Sequence, residues 1–331
     1  MFKTGKIPPE ILEDIVMNPI RKNNVQRDDV VLRPKTGEDC SAIDLQGELC
    51  VLSTDPITGA AKDIGYLAVQ INCNDIFSAG GEPIGILLTV LLPEGSNETD
   101  LEEIMEGALQ GAQELGIEIL GGHTEVTDAV RKPIVSAAVI GRSRERKIIQ
   151  TSGAKIGQDV VMTKWAGLEG TAIIAKEYES ELCKRLPFDL IQSAQNMKEF
   201  LSVGKESFLA AEHGATAMHD ATEGGILGAV WEVAECSHTG VEIWQDKIPI
   251  KEETKIICKE GQIDPLRLIS SGTMIITTEN GAKLVDKLNQ NGISGAIIGK
   301  ITETDRILIS NQSKELLEEP QSDALYQVKF R

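Results

Sequence analysis

The chain has 331 residues, with 51 acidic against 33 basic side chains and a formal net charge of −18. That balance argues against nucleic acid or an anionic membrane surface as a partner, because phosphate-rich surfaces are repelled. It leaves room for a nucleotide, since a divalent cation bridges carboxylates to phosphates. The length suits two domains, frequent glycine with few aromatics suits an α/β protein, and no apolar run is long enough to span a bilayer. The opening MFKTGKIPPE has no apolar signal-peptide core, so the expected location is cytoplasmic. Six cysteines without a CxxC pair give no zinc or redox motif.

Pro8-Pro9 start a short helix over 10–17, and residues 21–36, polar and without period, read as a loop or arm. Residues 42–45 and 48–53 around Gln46-Gly47 read as a hairpin. Its outer ends bring Asp39 and Asp55 side by side, unless both are solvated turn residues. A helical period over 63–79 carries Asn72 and Asp75 one turn apart. Asp75 inside an apolar helix calls for a partner or a metal. Residues 84–92 form a buried strand. Residues 97–115 form a helix, with Thr99 as N-cap and Glu102 completing a capping box. A strand over 117–120 then runs into GGHTEVTD (121–128), read as a glycine loop that delivers His123, Thr124 and Glu125 to a ligand. Another strand covers 133–141.

A basic turn at 142–149 with Ser152-Gly153 marks a domain boundary, giving domains 1–150 and 151–331. The strand 159–163, the turn at 167–171 and a helix over 172–179 form a generic anion site at a helix N-terminus. The glycines match neither the P-loop nor the dinucleotide fingerprint. Residues 180–200 read as helical. A short strand, 215–218, leads into HDATEGG (219–225) and a helix over 226–235, which puts Asp220 on a strand-to-helix turn. Strands at 241–244, 273–277 and 296–301 complete the second half, with a tight turn at Ser270-Ser271-Gly272. Taken singly, each Asp/Gly stretch is also an ordinary turn.

Together, GEDCSAID (37–44), STDPI (53–57), NDIFSAGGEP (74–83), GGHTEVTD (121–128), KWAGLEGTAIIA (164–175) and MHDATEGG (218–225) resemble the aminoimidazole ribonucleotide synthetase-like (AIR synthase-related) enzymes. The resemblance spans nearly the whole chain. It implies an α/β (α+β) fold of two domains: an N-terminal mixed sheet with helices on one face, dimerising through that sheet, and a C-terminal α/β domain. It implies ATP and Mg2+ as cofactors and a homodimer as the assembly. By position, Asp39, Asp55, Asp75 and Asp220 look like metal ligands. Gly37, Asp39, Asn74, Gly121, Gly122 and Thr124 look like cofactor-binding residues, and Asp75, Asp220 and His123 like the catalytic set.

The branch that looks nearest is the hydrogenase-maturation factor, whose carbamoyl substrate rides on a C-terminal cysteine. Here the last cysteine is Cys258 and the sequence ends QVKFR. The expectation is therefore an ATP-dependent phosphoryl-activating or phosphoryl-transferring enzyme with a small-molecule or carbamoyl-type acceptor. A kinase resembling thiamine-monophosphate kinase is an alternative, although that family has Asp where this chain has His123; Glu125 stands two residues on as a substitute carboxylate. A non-catalytic nucleotide-binding regulatory or scaffold subunit is another.

Overall fold

A computed structural model describes residues 9–14, 18, 28–33, 38, 40–143, 146–310 and 313–330. Two of the expected site residues, Gly37 and Asp39, lie outside the described residues, as do parts of the expected N-terminal helix and arm. Helix α1 is Pro9–Leu12, and β1, Val30–Leu32, is a strand within the stretch read as an arm.

The hairpin forms from β2 (Ser41–Asp44) and β3 (Leu49–Ile57), antiparallel, with Asp44 opposite Leu49. Helix α2 (Ile64–Ser78), β4 (Glu82–Pro93), α3 (Glu98–Leu115), β5 (Glu118–Thr127) and β6 (Ile134–Ser143) complete this half. The sheet order is β1-β2-β3-β6-β4-β5. Only the β4–β5 pair is parallel, as a strand–helix–strand crossover through α3 requires. The capping box at α3 is built two residues earlier than expected. Asn97, not Thr99, accepts from the amides of Thr99 and Asp100, and Asp100 accepts from the Asn97 amide. Asn at that position already has the extended backbone an N-cap needs.

Helix α2 is the hub. All fifteen of its residues are buried, polar ones included, because it is walled in on every side. The sheet and α3 cover one side, and the second-domain strand Ala217–Asp220 and helix Gly204–Glu212 cover another. A helix so enclosed reads as apolar all round rather than amphipathic. Its crossing with α3 is close because Gly65 faces the Ile104 carbonyl; a Cβ there would lie 1.8 Å from that oxygen. Gly65→Ala must push the helices apart and is expected to cost about 1–3 kcal/mol. The measurement is the urea midpoint, and an unchanged midpoint would contradict the tight crossing.

The second half contains β7 (Asp159–Thr163), α4 (Leu168–Glu177), α5 (Glu179–Leu182), α6 (Phe188–Gln195), α7 (Gly204–Glu212), β8 (Ala217–Asp220), α8 (Gly225–Cys236) and β9 (Gly240–Trp244). Then come α9 (Glu252–Gly261), β10 (Met274–Thr278), α10 (Gly281–Gln290), β11 (Gly295–Thr302), β12 (Arg306–Ile309) and β13 (Lys314–Leu316). The sheet order is β13-β12-β9-β11-β7-β10-β8. The mixed α/β architecture is as expected; β1, β12 and β13 were not foreseen. No described helix is long and apolar enough to cross a membrane.

The halves are locked by specific contacts. Glu177 of α4 accepts from the amides of Ala61 and Lys62 at 2.8 Å each, and Lys198 pairs with Asp63 at 2.8 Å. Asn74 spends both ends of its amide on the second domain, donating to the Leu201 carbonyl at 2.9 Å and accepting from the Val203 amide at 3.0 Å.

Candidate active site between the two domains

The functional side chains gather where β3 meets α2. Ser53 and Asp55 are two residues apart on β3 and so leave the same face of the sheet. The Ser53 hydroxyl donates to Asp75 Oδ2. The Asn72 carboxamide binds the Asp55 backbone from both sides, accepting its N–H at 2.7 Å and donating to its carbonyl at 3.2 Å. The Cys40 thiol, at the entry to β2, donates to the Asp75 carbonyl at 3.1 Å. One turn further along α2, the Ser78 hydroxyl donates to Asp220 Oδ1 at 3.3 Å. Asp220 is the last residue of β8 rather than part of the following turn. Asp55, Asp75 and Asp220, from three separate segments, therefore border one helix, with Asp75 and Asp220 buried.

The glycine stretch behaves differently. Residues 121–127 are not a loop but continue β5 as an exposed edge strand. The register slips between Ile86 and Leu87 of β4, which leaves Leu120 as the extra residue of a bulge. Gly121 and Gly122 follow it with φ of 135° and 144°, an extended backbone open to glycine only. A Cβ on Gly122 would lie 1.8 Å from the Leu88 carbonyl oxygen. The paired glycines thus serve strand geometry, which a turn-based reading misassigns. His123 and Glu125 project from one face with Nε2 to Oε2 at 3.1 Å, both well exposed. Strands β6 and β4 separate β5 from β3, so within one chain Gly121, Gly122, His123 and Thr124 stand about three strand spacings, roughly 14 Å, from the aspartates. Among the described site residues, the β5 group is therefore not brought to the aspartates in a single copy. Asn74, expected to orient the cofactor, is turned toward residues 201–203 instead.

The anion site expected before α4 is also altered. Donors at this helix start are taken: the Gly167 amide by the Ser270 hydroxyl at 2.7 Å and the Gly170 amide by the Ile269 carbonyl at 3.0 Å. Glu169, in the first turn, adds negative charge there.

Beside the aspartates the domains enclose a cleft of about 310 Å³. Its floor is the β3 exit, from Asp55 to Ala60; its roof is Glu169 and Ile173 of α4, Thr222 and Glu223, the 269–271 turn and the C-terminal segment around Asp323 to Tyr326. Asp323 fixes that segment by accepting amides from Gly224 at 2.7 Å, Leu325 at 2.8 Å and Ile269 at 3.2 Å. The Tyr326 hydroxyl donates to Glu223 at 2.8 Å. Asp323 and Tyr326 were not singled out from the sequence, and Glu169 and Ser271 entered only as parts of turns. Glu169 alone left a signal, as the one charge in the otherwise apolar run 168–175.

Burial pushes the Glu169 carboxyl up to about 7. The charges of Asp323, Asp220 and Glu223 add to this, against the lowering effect of the Ser271 hydroxyl. Burial likewise raises Asp323 to about 6, opposed by its three amide donors. Both groups titrate higher folded than unfolded. Their contribution to stability is thus full below the ordinary carboxyl range and is lost as pH rises through about 6 to 7. The unliganded chain should lose thermal stability across that window, and Glu169→Gln should flatten the loss; an identical slope in the variant would contradict the burial of this acid. Cys258, the last thiol, is buried in α9 and raised to about 12, also by burial first, which makes it a poor nucleophile.

Among the described residues no three His, Cys, Asp or Glu side chains converge closely enough to hold a metal. Magnesium does not need such a cage: it keeps waters and takes one or two carboxylates together with phosphate oxygens. A hard oxygen donor set such as Asp55 and Asp75 fits that mode.

Comparison with known proteins agrees with this architecture. The chain is 27% identical over 314 residues to the "Putative hydrogenase expression/formation protein MJ0676" of Methanocaldococcus jannaschii, covering 92% of this chain and 90% of the relative. It is 26% identical over 288 residues to the carbamoyl dehydratase HypE of Rhizobium leguminosarum bv. viciae, with 83% and 80% covered. It is 28% identical over 274 residues to the thiamine-monophosphate kinase of Pyrococcus horikoshii, with 81% of each covered. Among solved structures, that of a HypE–HypF complex superposes with a TM-score of 0.73 at 21% identity, over 92% of this chain and 100% of that one. A HypE in complex with ATP superposes with a TM-score of 0.70 at 19% identity, over 97% of each. The family described as AIR synthase related protein matches through its N-terminal domain at residues 37–143 and its C-terminal domain at 155–310. The chain belongs to the AIR synthase-related proteins.

Proposed function

We propose that the protein is a cytoplasmic, ATP- and magnesium-dependent enzyme that activates an oxygen of a small-molecule or carbamoyl-type acceptor by phosphorylation, or transfers phosphate to it. The observation that carries this is the β3–α2 junction, where Asp55, its backbone held by Asn72, lines a cleft large enough for a small acceptor, and Asp75, held by Ser53, is buried in the adjoining helix. Relatives named as a dehydratase and a kinase, and a neighbour solved with ATP, support it.

In this reading Asp55 and Asp75, with Asp39 from the preceding segment and Asp220 from the second domain, hold magnesium against the phosphates. The metal supplies neutralisation of charge that develops on the transferring phosphoryl group. Ser53 and Asn72 fix the aspartate and the β3 backbone in place before ligand arrives. Gly37, Gly121, Gly122 and Thr124 cradle phosphate, and His123 contacts it. The β5 residues reach the aspartates from a second copy. The outer side of β4 and β5 leaves Ile84 46%, Leu87 41% and Leu120 49% exposed, an apolar surface that a homodimer would cover.

Phosphate or ADP release by the purified chain with ATP, magnesium and an acceptor panel tests the enzyme. Stable ATP binding without turnover across the panel would favour a regulatory subunit. Sedimentation at micromolar concentration tests the dimer, and a monomer would remove β5 from the site.

A further inference from the structure

We propose that the interdomain cleft takes a small organic cation, an ammonium or amidinium group on an apolar body, as the acceptor. The inference rests on the cleft being the acceptor side of the proposed enzyme. Four carboxylates line it, those of Asp55, Glu169, Glu223 and Asp323, and among the described residues no lysine or arginine does. Between them the walls are apolar, from Ile57, Ile71, Ile173, Ile269 and Leu325. Glu169 is only 2% exposed and its Oε2 meets no hydrogen-bond partner. A buried carboxylate oxygen left in that state costs free energy until a donor reaches it. Tyr326 lines the same wall, and an aromatic side chain is compatible with a bound cation.

Two other occupants fit less well. A bare metal needs convergent ligands, and among the described residues no three acids converge. An anionic or phosphate-bearing end would meet four carboxylates of its own sign. Such an acceptor would therefore enter with its cationic end under Glu169 and present its opposite end toward Asp55 and Asp75. A planar amidinium would match the carboxylate fork of Glu169, while a primary ammonium would make a single charge-assisted bond.

The test uses the full chain and matched pairs of probes that differ only in charge: benzamidine with benzamide, and benzylamine with benzyl alcohol, with benzoate as the anion. Affinities are read by calorimetry. The expected result is that at least one cation binds about tenfold or more tightly than its neutral twin and that benzoate does not bind. Glu169→Gln should remove that preference while leaving the neutral probe unchanged. Near pH 6 the binding enthalpy should depend on the buffer, because a carboxyl held near neutrality releases its proton to the buffer when it pairs with the cation.

Equal binding of both twins, no binding by either cation, or displacement of benzamidine by magnesium alone would overturn the inference. If Glu169→Gln does not fold, the cation-to-neutral ratio in the natural chain still decides. Magnesium–ATP affinity measured on the same samples separates the two levels. ATP binding without cation preference sinks only the acceptor class, whereas loss of ATP binding sinks the nucleotide reading.

Discussion

Asp75→Asn should abolish magnesium-dependent ATP binding and leave the fold intact. Asp75 is 4% exposed in a fully enclosed helix, so an isosteric amide preserves packing and can still accept from Ser53. What it removes is the formal charge. A carboxylate's bond to a metal–phosphate unit is charge-assisted, and such contacts are worth about 1.5–3 kcal/mol in protein, or roughly 10- to 100-fold in affinity. Losing one of very few metal-directed carboxylates should take binding beyond that. Calorimetry with ATP and magnesium checks this, with a thermal melt as the control for folding. Unchanged affinity would remove Asp75 from the site and, with it, the reason for placing nucleotide at the β3–α2 junction.

Lys164→Ala should be the most destabilising single change in the second domain. Its ammonium is buried and reaches the carbonyls of Phe200 at 2.8 Å, Ser202 at 2.6 Å and Gly272 at 2.8 Å, and Glu206 at 2.6 Å. Burial pushes its pKa down, while Glu206 opposes that, and the many acceptors hold the charge in place. Truncation leaves Glu206, itself 1% exposed, as an uncompensated buried charge, at a cost of about 3–5 kcal/mol. The effect should reach the cleft. Lys164 ties the 200–202 segment to Gly272, next to Ser271, and Asn74 grips the same segment from the first domain. The denaturation midpoint measures the loss, and Lys164→Met with Glu206→Gln should recover much of it because no charge is then left buried. A midpoint within experimental error of the natural chain would mean the pair is solvated and structurally idle.

Much of the site was legible in the sequence because its elements are local. The 42–53 hairpin, the 63–79 helical period and the short strand before HDATEGG each follow from short-range patterning. Asp75 lies on the expected helix, whereas Asp55 and Asp220, expected just past their strands, are strand residues because β3 and β8 run on to Ile57 and Asp220. The GGHTEVTD stretch was misassigned because paired glycines signal a turn far more often than a bulged strand. The bulge exists only through the register of β5 against β4. Asn72 and Asn74, two residues apart on one helix and so on opposite sides of it, differ in role only through their partners: Asn74 holds the second domain, Asn72 the β3 backbone.

The order of motifs along the chain fixed the family, the two α/β units and the aspartates to examine, since periodicity and turn chemistry act over a few residues. Only the packed molecule decided that Glu169 and Asp323 are buried acids facing a shared cleft, that the C-terminal segment is part of its wall, and that β5 stands apart from the aspartates. Those facts depend on contacts between residues from tens to more than a hundred positions apart, and neither burial nor the charge state that follows from it is carried by any local run of sequence.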